Sequence, residues 1–193
     1  MSLTVNEIFY SLQGEGGRTG EASIFIRLSK CNLACSFCDT DFEFGNRMTL
    51  DEILAEISQY PCQWIIWTGG EPTLQLKDET VAFFTEKGYK QAIETNGTRR
   101  VPAGIDYITC SPKQQFEKIR TLIPEVDELR FPIAKGDVLP DISILSKTNR
   151  YLLSPIFDNL KVIRENVDYC VDLIKQNPQW TLSLQMHKLI GIK

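Results

Sequence analysis

Residues 49–67 read TLDEILAEISQYPCQWIIW and lay one helix and one strand end to end. Thr49 stands three positions before Glu52, the spacing at which a hydroxyl caps the first helical turn while the glutamate reaches back to the cap. Leu50, Ile53, Leu54 and Ile57 then recur at helical spacing as one apolar stripe. Pro61 ends the helix. Residues 63–67 follow as a short continuous apolar strand, the kind that a parallel sheet buries on both faces.

The same alternation runs outward in both directions. Upstream, residues 22–28 (ASIFIRL) form a β-branched and aromatic strand. A loop rich in Cys, Asp, Asn and Gly follows it, from Lys30 to Met48. Downstream, the pattern predicts a helix over 74–87 and strands at 89–93, 105–109, 126–131 and 151–153. A long amphipathic helix, marked by Leu160, Ile163, Val167, Val171 and Ile174, is closed by Pro178, and a last strand covers 180–184. Strands alternating with helices pair in parallel through right-handed crossovers. The 193 residues fall short of the ~250 of a full eight-unit barrel. The expected fold is therefore α/β, an incomplete TIM-like barrel of about six parallel strands, in one domain spanning residues 1–193.

Composition narrows the function. The chain has 21 Lys+Arg against 25 Asp+Glu, a net charge of −4, whereas a nucleic-acid binder needs a clustered basic excess. Apolar content of 42% with 24% charged residues is globular and excludes disorder. Apolar runs such as 64–67 are far shorter than the ~18 residues of a membrane span, and the first ten residues carry no secretory signal. The expected setting is the reducing cytoplasm, with neither nucleic acid nor membrane as a direct partner. There the six cysteines serve as thiols or metal ligands.

Each polar cluster falls just after an expected strand: the cysteine loop, Thr68–Pro72, Glu94–Thr98, Ser111–Lys113, Ser154–Pro155 and Gln185–His187. In a parallel barrel these meet at the carboxyl rim, where active sites are built. Cys31, Cys35 and Cys38 place three thiols within eight residues. Three thiolates on a four-iron cluster leave one iron open to a small molecule. Zinc with a distant fourth ligand and coincidental thiols are the competing readings. Cys62, Cys110 and Cys170 each stand alone beside an apolar segment and are expected to be structural.

Cys-x₃-Cys-x₂-Cys, with Phe37 before the last cysteine, resembles the signature of the radical S-adenosylmethionine (SAM) superfamily, and Gly69-Gly70-Glu71-Pro72 resembles its second motif. The flanking runs narrow the likeness. Phe9–Gly16, Phe25–Arg27, Cys38–Thr40, Glu94–Thr98, Ser111–Lys113 and Leu182–Lys188 resemble the 7-carboxy-7-deazaguanine synthase family over nearly the whole chain. The match departs at Met186, where the family has Thr, and over 116–141, where no motif stands out.

The resemblance implies a carbon–nitrogen lyase that converts 6-carboxy-5,6,7,8-tetrahydropterin to 7-carboxy-7-deazaguanine with loss of ammonia, in 7-deazapurine and queuosine biosynthesis. Cys31, Cys35 and Cys38 would hold a [4Fe-4S] cluster whose open iron is chelated by the methionine end of SAM. In the family the reduced cluster cleaves SAM, the resulting radical takes hydrogen from C6, the ring contracts, and the hydrogen returns so that SAM is recycled. Phe37, Cys38, Asp39, Gly70, Ser111, Pro112, Lys113, Ser154 and Pro155 would contact SAM. Glu94 and Asn96 read either as ribose contacts or as turn residues.

Leu12, Gln13, Gly14, Glu15, Arg27, Thr68, His187 and Lys193 would bind the substrate. Arg27 offers a planar fork to its carboxylate, and Glu15 accepts from the N–H groups of the ring edge. His187 would lie over the pocket, with the terminal carboxylate of Lys193 closing it. Thr40 would help to hold Mg²⁺, while Asp39 or Asp41 reads equally as a loop cap. Read without the resemblance, Gly69-Gly70 is a tight turn, Arg27 a surface ion pair, His187 a packed side chain and Lys193 a trailing end. Family precedent adds a homodimer and an electron donor of flavodoxin type. Two rivals share parts of the pattern: a radical SAM enzyme that activates a protein glycine, and a non-catalytic zinc-binding module.

Overall fold

The structure, a computed structural model, describes residues 1–38 and 43–193. In chain order its first half runs β1 (Ser2–Leu12), β2 (Ala22–Leu28), β3 (Asn46–Thr49), α1 (Leu50–Ile57), β4 (Trp64–Gly69), α2 (Asp78–Glu86) and β5 (Lys90–Thr95). The second half runs β6 (Tyr107–Cys110), α3 (Phe116–Leu122), β7 (Glu128–Ile133), β8 (Tyr151–Pro155), α4 (Arg164–Gln176), β9 (Trp180–Leu182) and α5 (Met186–Ile190). Among the described residues these strands form one sheet in the order β3-β1-β2-β4-β5-β6-β7-β8-β9. From β2 to β9 every neighbouring pair is parallel, which gives seven parallel strands. The two ends of the sheet, β3 and β9, do not pair with each other, so the barrel is incomplete as expected.

The capping box forms: Thr49 Oγ1 accepts from Glu52 N at 3.2 Å, and Glu52 accepts from Thr49 N at 2.7 Å. Leu50, Ile53 and Ile57 turn inward from α1 onto Ile24, Ile26, Ile65 and Trp67 of the sheet. A second apolar cluster joins Ile119 and Cys170, from α3 and α4, to Leu129, Phe131, Ile133 and Leu153. Alternation then points the intervening residues of each strand into the barrel. That inner set (Phe25 and Arg27, Thr68, Glu94, Glu128 and Arg130, Ser154) is mostly polar.

Several elements differ from the sequence reading. No strand is expected over 2–12, yet β1 pairs antiparallel along the whole of β2, with a bulge between Val5 and Glu7. Leu3 and Val5 belong to the outer core. The extra residue at the bulge moves the rest of the strand to the other face, so Glu7 and Phe9 look into the barrel opposite Arg27 and Phe25. The break in alternation hid the strand. The last long helix begins at Arg164 rather than near Leu160, which is 71% exposed. The helix expected over 74–87 begins at Asp78, after a single 3₁₀ turn at Pro72–Leu74.

The gap in the barrel is spanned by the loop after β1. Gly16 N donates to Ser183 Oγ at 2.9 Å, and Met186 N donates to Gly14 O at 2.8 Å. The second bond uses only the backbone of Met186, so the departure from the family's Thr leaves it intact.

Candidate active site

The carboxyl ends of β2 and β4 are joined before any side chain is considered. Gly70 N donates to Leu28 O at 3.0 Å, and Glu71 N donates to Lys30 O at 2.9 Å. The approach is close enough that a Cβ on Gly70 would stand 1.9 Å from Lys30 O, so only glycine fits there. Glu71 is fully shielded from water. One of its oxygens accepts from Thr73 N (3.0 Å), Thr73 Oγ1 (2.6 Å) and Thr95 Oγ1 (2.8 Å), and the other accepts from Asn96 N at 2.7 Å. Asn96 accepts from Thr98 N at 3.0 Å, the turn reading of that residue, and its Nδ2 donates to Asn32 Oδ1 at 3.0 Å. The cysteine loop is thus held from two strands at once.

Cys31, Cys35 and Cys38 face a cavity of about 260 Å³. Gly70, Ser111 and Lys113 line it from the loops after β4 and β6, and Ser154 and Pro155 from β8. Lys113 Nζ donates to Ser111 Oγ at 2.9 Å and lies 5.4 Å from the Phe37 ring centre. Burial lowers the Lys113 pKa, and Arg130 adds to that. Among the described residues no three His, Cys, Asp or Glu side chains converge as ligands of a single ion. The loop does fit a cluster. Its three thiols share one cavity, and the Leu33 N–H donates to Cys31 Sγ at 3.4 Å, the kind of bond that stabilises a cluster thiolate. Burial raises the Cys31 thiol, and Glu71 and the other two thiols raise it further. Bound iron would relieve that crowding of charge.

A second cavity, of about 470 Å³, opens beside the first. Leu12 lines it from the end of β1, Gln13, Gly14 and Glu15 from the loop that follows, Arg27 and Thr68 from the neighbouring strands, and His187 and Lys193 from the last helix and beyond. A Cβ on Gly14 would stand 2.0 Å from His187 Nδ1. Phe9 and Phe25 stack at 4.8 Å to make one wall. Glu7 accepts from Arg27 Nε at 2.8 Å and also pairs with Lys193. Partial burial works against the charged form of Glu7, but the two cations outweigh it and hold its pKa below the usual range. The backbone oxygen of Lys193 accepts from Ser11 Oγ at 2.6 Å, which tucks that residue against β1.

Arg130 stands between the two cavities and lines both, as does Glu15. Its guanidinium is buried among three carboxylates: Glu15 at 3.4 Å, Glu128 at 3.4 Å and Glu94, the closest. Burial opposes its charge, but the carboxylates raise its pKa nonetheless. Burial likewise opposes ionisation of Glu15. Arg130, with hydrogen bonds from Gln185 and Ser154, reverses that and lowers the pKa. Glu94 fares differently. Burial, with repulsion from Glu128 and Glu15, lifts it to about 7 despite Arg130.

Comparison with known proteins fixes the family. Residues 25–176 match the radical SAM superfamily. The 7-carboxy-7-deazaguanine synthase of Bacteroides thetaiotaomicron is 47% identical over 195 residues, covering 100% of both chains. That of Haemophilus influenzae is 40% identical, covering 100% of this chain and 95% of its own. The chain belongs to the 7-carboxy-7-deazaguanine synthase family. In fold, the crystal structure of QueE from Escherichia coli superposes with a TM-score of 0.74 at 24% identity, covering 97% of this chain and 95% of that one.

With the family fixed, the sequence-derived sites can be placed. The expected substrate residues of the synthase fold share the larger cavity. Phe37, Cys38, Gly70, Ser111, Lys113, Ser154 and Pro155, expected at SAM, share the smaller one. Pro112 is buried beside that cavity without lining it. Asp39, Asp41 and Thr40, the expected Mg²⁺ ligand, lie outside the described residues. Of the two residues read as ribose contacts or turn residues, Glu94 lines the larger cavity and Asn96 the smaller one. Arg130 and Glu128 were missed because an isolated charged pair inside an apolar strand forms no motif. The alternation of Glu128 and Arg130 with Leu129 and Phe131 was the available signal.

Two outcomes follow. Glu71→Ala leaves buried donors on two loops without an acceptor and should cost about 3 kcal/mol in urea unfolding; an unchanged midpoint would contradict the tie. Cys110 and Cys170 are fully buried, burial pushing their thiols up to about 12 and about 11, and Cys62 donates to Ala22 O at 3.2 Å. Replacing all three with Ala should leave the bound iron unchanged, whereas loss of about a quarter of it would make one of them a ligand.

Proposed function

We propose that the chain carries out the reaction named by its family: conversion of 6-carboxy-5,6,7,8-tetrahydropterin to 7-carboxy-7-deazaguanine with loss of ammonia, as a carbon–nitrogen lyase of 7-deazapurine biosynthesis. The observation that carries this reading is the pair of cavities meeting at Glu15 and Arg130, one lined by three thiols and the other by Arg27 and His187. When bound, the cluster and SAM supply one-electron chemistry that starts and ends hydrogen transfer at the substrate ring.

The chain's own residues bind, orient and shield. Cys31, Cys35 and Cys38 would hold the cluster, and the half-buried backbone at Gly70 would accept from the SAM amino group. Ser111, Lys113, Ser154 and Pro155 seat the rest of that cofactor. Arg27 takes the substrate carboxylate, and Gln13 and Glu15 take the amidine-like edge of the ring. Thr68 and His187 complete the wall, while Phe9 and Phe25 keep water from the reacting ring. Thr40 belongs to this reading as the Mg²⁺ ligand, alongside a flavodoxin-like electron donor, a homodimer and a cytoplasmic location. A glycine-activating enzyme would need room for a peptide; Gln13, Glu15 and Arg27 suit a small carboxylated ring instead.

Reconstituted protein given carboxytetrahydropterin, SAM and dithionite under anaerobic conditions should release deazaguanine carboxylate and ammonia in equal amounts. Arg27→Met should raise KM for the pterin about tenfold or more, with a smaller change in kcat. Protein with an intact cluster that forms no deazaguanine would overturn the reading.

A further inference from the structure

The wall shared by the two cavities has more charge than it needs for packing. Three carboxylates from three elements crowd one guanidinium: Glu15 from the loop after β1, Glu94 from β5 and Glu128 from β7. With every group ionised the cluster would hold two negative charges in excess, in a site largely closed to water, and such a site sheds charge by keeping a proton. The hydrogen bonds show which carboxylate is free to keep it. Glu128 accepts from Gly17 N (2.7 Å), Tyr107 Oη (3.0 Å) and Thr109 Oγ1 (3.1 Å) as well as Arg130, so its lone pairs are committed. Glu15 accepts from Gln185 Nε2 at 3.1 Å and Ser154 Oγ at 3.0 Å besides Arg130. Glu94 accepts from Gln13 Nε2 at 3.0 Å and from Arg130, and it borders the larger cavity.

We propose that Arg130 is a positioning residue for the larger cavity. It holds Glu15 and Glu94 on one guanidinium so that a bound ring edge meets a matched pair, a carboxylate that accepts and a carboxyl that donates. This rests on the proposed pterin substrate. The edge of such a ring carries N–H donors beside a carbonyl acceptor, so two ionised carboxylates would satisfy the first and repel the second. Glu15 takes the N–H groups, and Glu94 gives its proton to the carbonyl oxygen as a hydrogen bond, with no net transfer. The groups facing Glu94 are Gln13 and Glu15 from the loop after β1, Arg130 and Glu128 from β7, Thr109 from β6 and Thr68 from β4. His187 and the Arg27–Glu7–Lys193 set face it across the cavity.

The test is equilibrium binding of pterin-6-carboxylate, a fluorescent non-reacting probe, to the full chain reconstituted with cluster. With Glu94 titrating near 7, wild-type affinity should fall about tenfold between about pH 6 and about pH 8. Glu94→Gln keeps a donor that does not titrate and should hold its low-pH affinity across that range. It also serves as the control for titration of the probe and of His187. Arg130→Met should bind more weakly throughout and move the midpoint to higher pH, because the cation paired with Glu94 is gone. Arg130→Lys should restore part of both. A merely structural role for Arg130 would let water reach Glu94 and move the midpoint down. Wild-type binding that is flat with pH, or a Glu94→Gln profile as steep as wild type, would overturn the proposal while leaving the substrate reading in place. Absence of pterin binding at every pH, in protein that still binds SAM, would overturn both.

Discussion

A buried carboxylate with four donors around it is what the rest of this site depends on. Glu71 accepts from the turn after β4 and from Thr95 and Asn96 at the end of β5, and its own N–H closes onto Lys30 at the mouth of the cysteine loop. A carboxylate in such a place is costly unless its lone pairs are satisfied. Once they are, three loops from distant parts of the chain can no longer move independently. Asn96 extends the tie to Asn32, one residue after the first cysteine thiol. The three thiols therefore face their cavity from a loop fixed at its base by backbone bonds and braced just past its first cysteine by an amide.

The barrel interior follows the opposite logic from its outer face. Outside, Ile, Leu, Phe and Trp from alternate positions pack under the helices in two apolar clusters. Inside, the same strands present Arg27, Thr68, Glu94, Glu128 and Arg130, and Arg130, bonded to Glu94 and Glu128, lies where the two cavities meet. A polar interior can be stable only if nearly every donor and acceptor is paired, and Arg130 with its three carboxylates meets that condition. The two cavities therefore lie side by side and meet at Glu15 and Arg130.

Much of this was legible in the sequence, for reasons that can be stated residue by residue. The Thr49–Glu52 box and the Leu50–Ile57 stripe are local, so they were read correctly from spacing alone. The cysteine loop and the Gly69–Pro72 turn are compact motifs, and their convergence followed from placing each after a parallel strand. β1 was not legible because its bulge at Asn6 breaks the alternation that marks a strand. The start of α4 was misplaced because Leu160 matches the helical period yet belongs to the preceding loop and the rim of the larger cavity. Arg130 carried only a faint local signal, its alternation with Leu129 and Phe131. Its importance lies in Glu15 and Glu94, which are distant in sequence and meet it only once the sheet has curled.

The claim on which the rest stands is that Cys31, Cys35 and Cys38 hold an iron–sulfur cluster with one open corner. The most direct measurement is metal and sulfide analysis of protein prepared without oxygen, followed by electron paramagnetic resonance of the reduced form with and without SAM. About four irons and about four sulfides per chain are expected, with a cluster signal that changes when SAM is added. Stoichiometric zinc without iron or sulfide, in soluble folded protein, would contradict it.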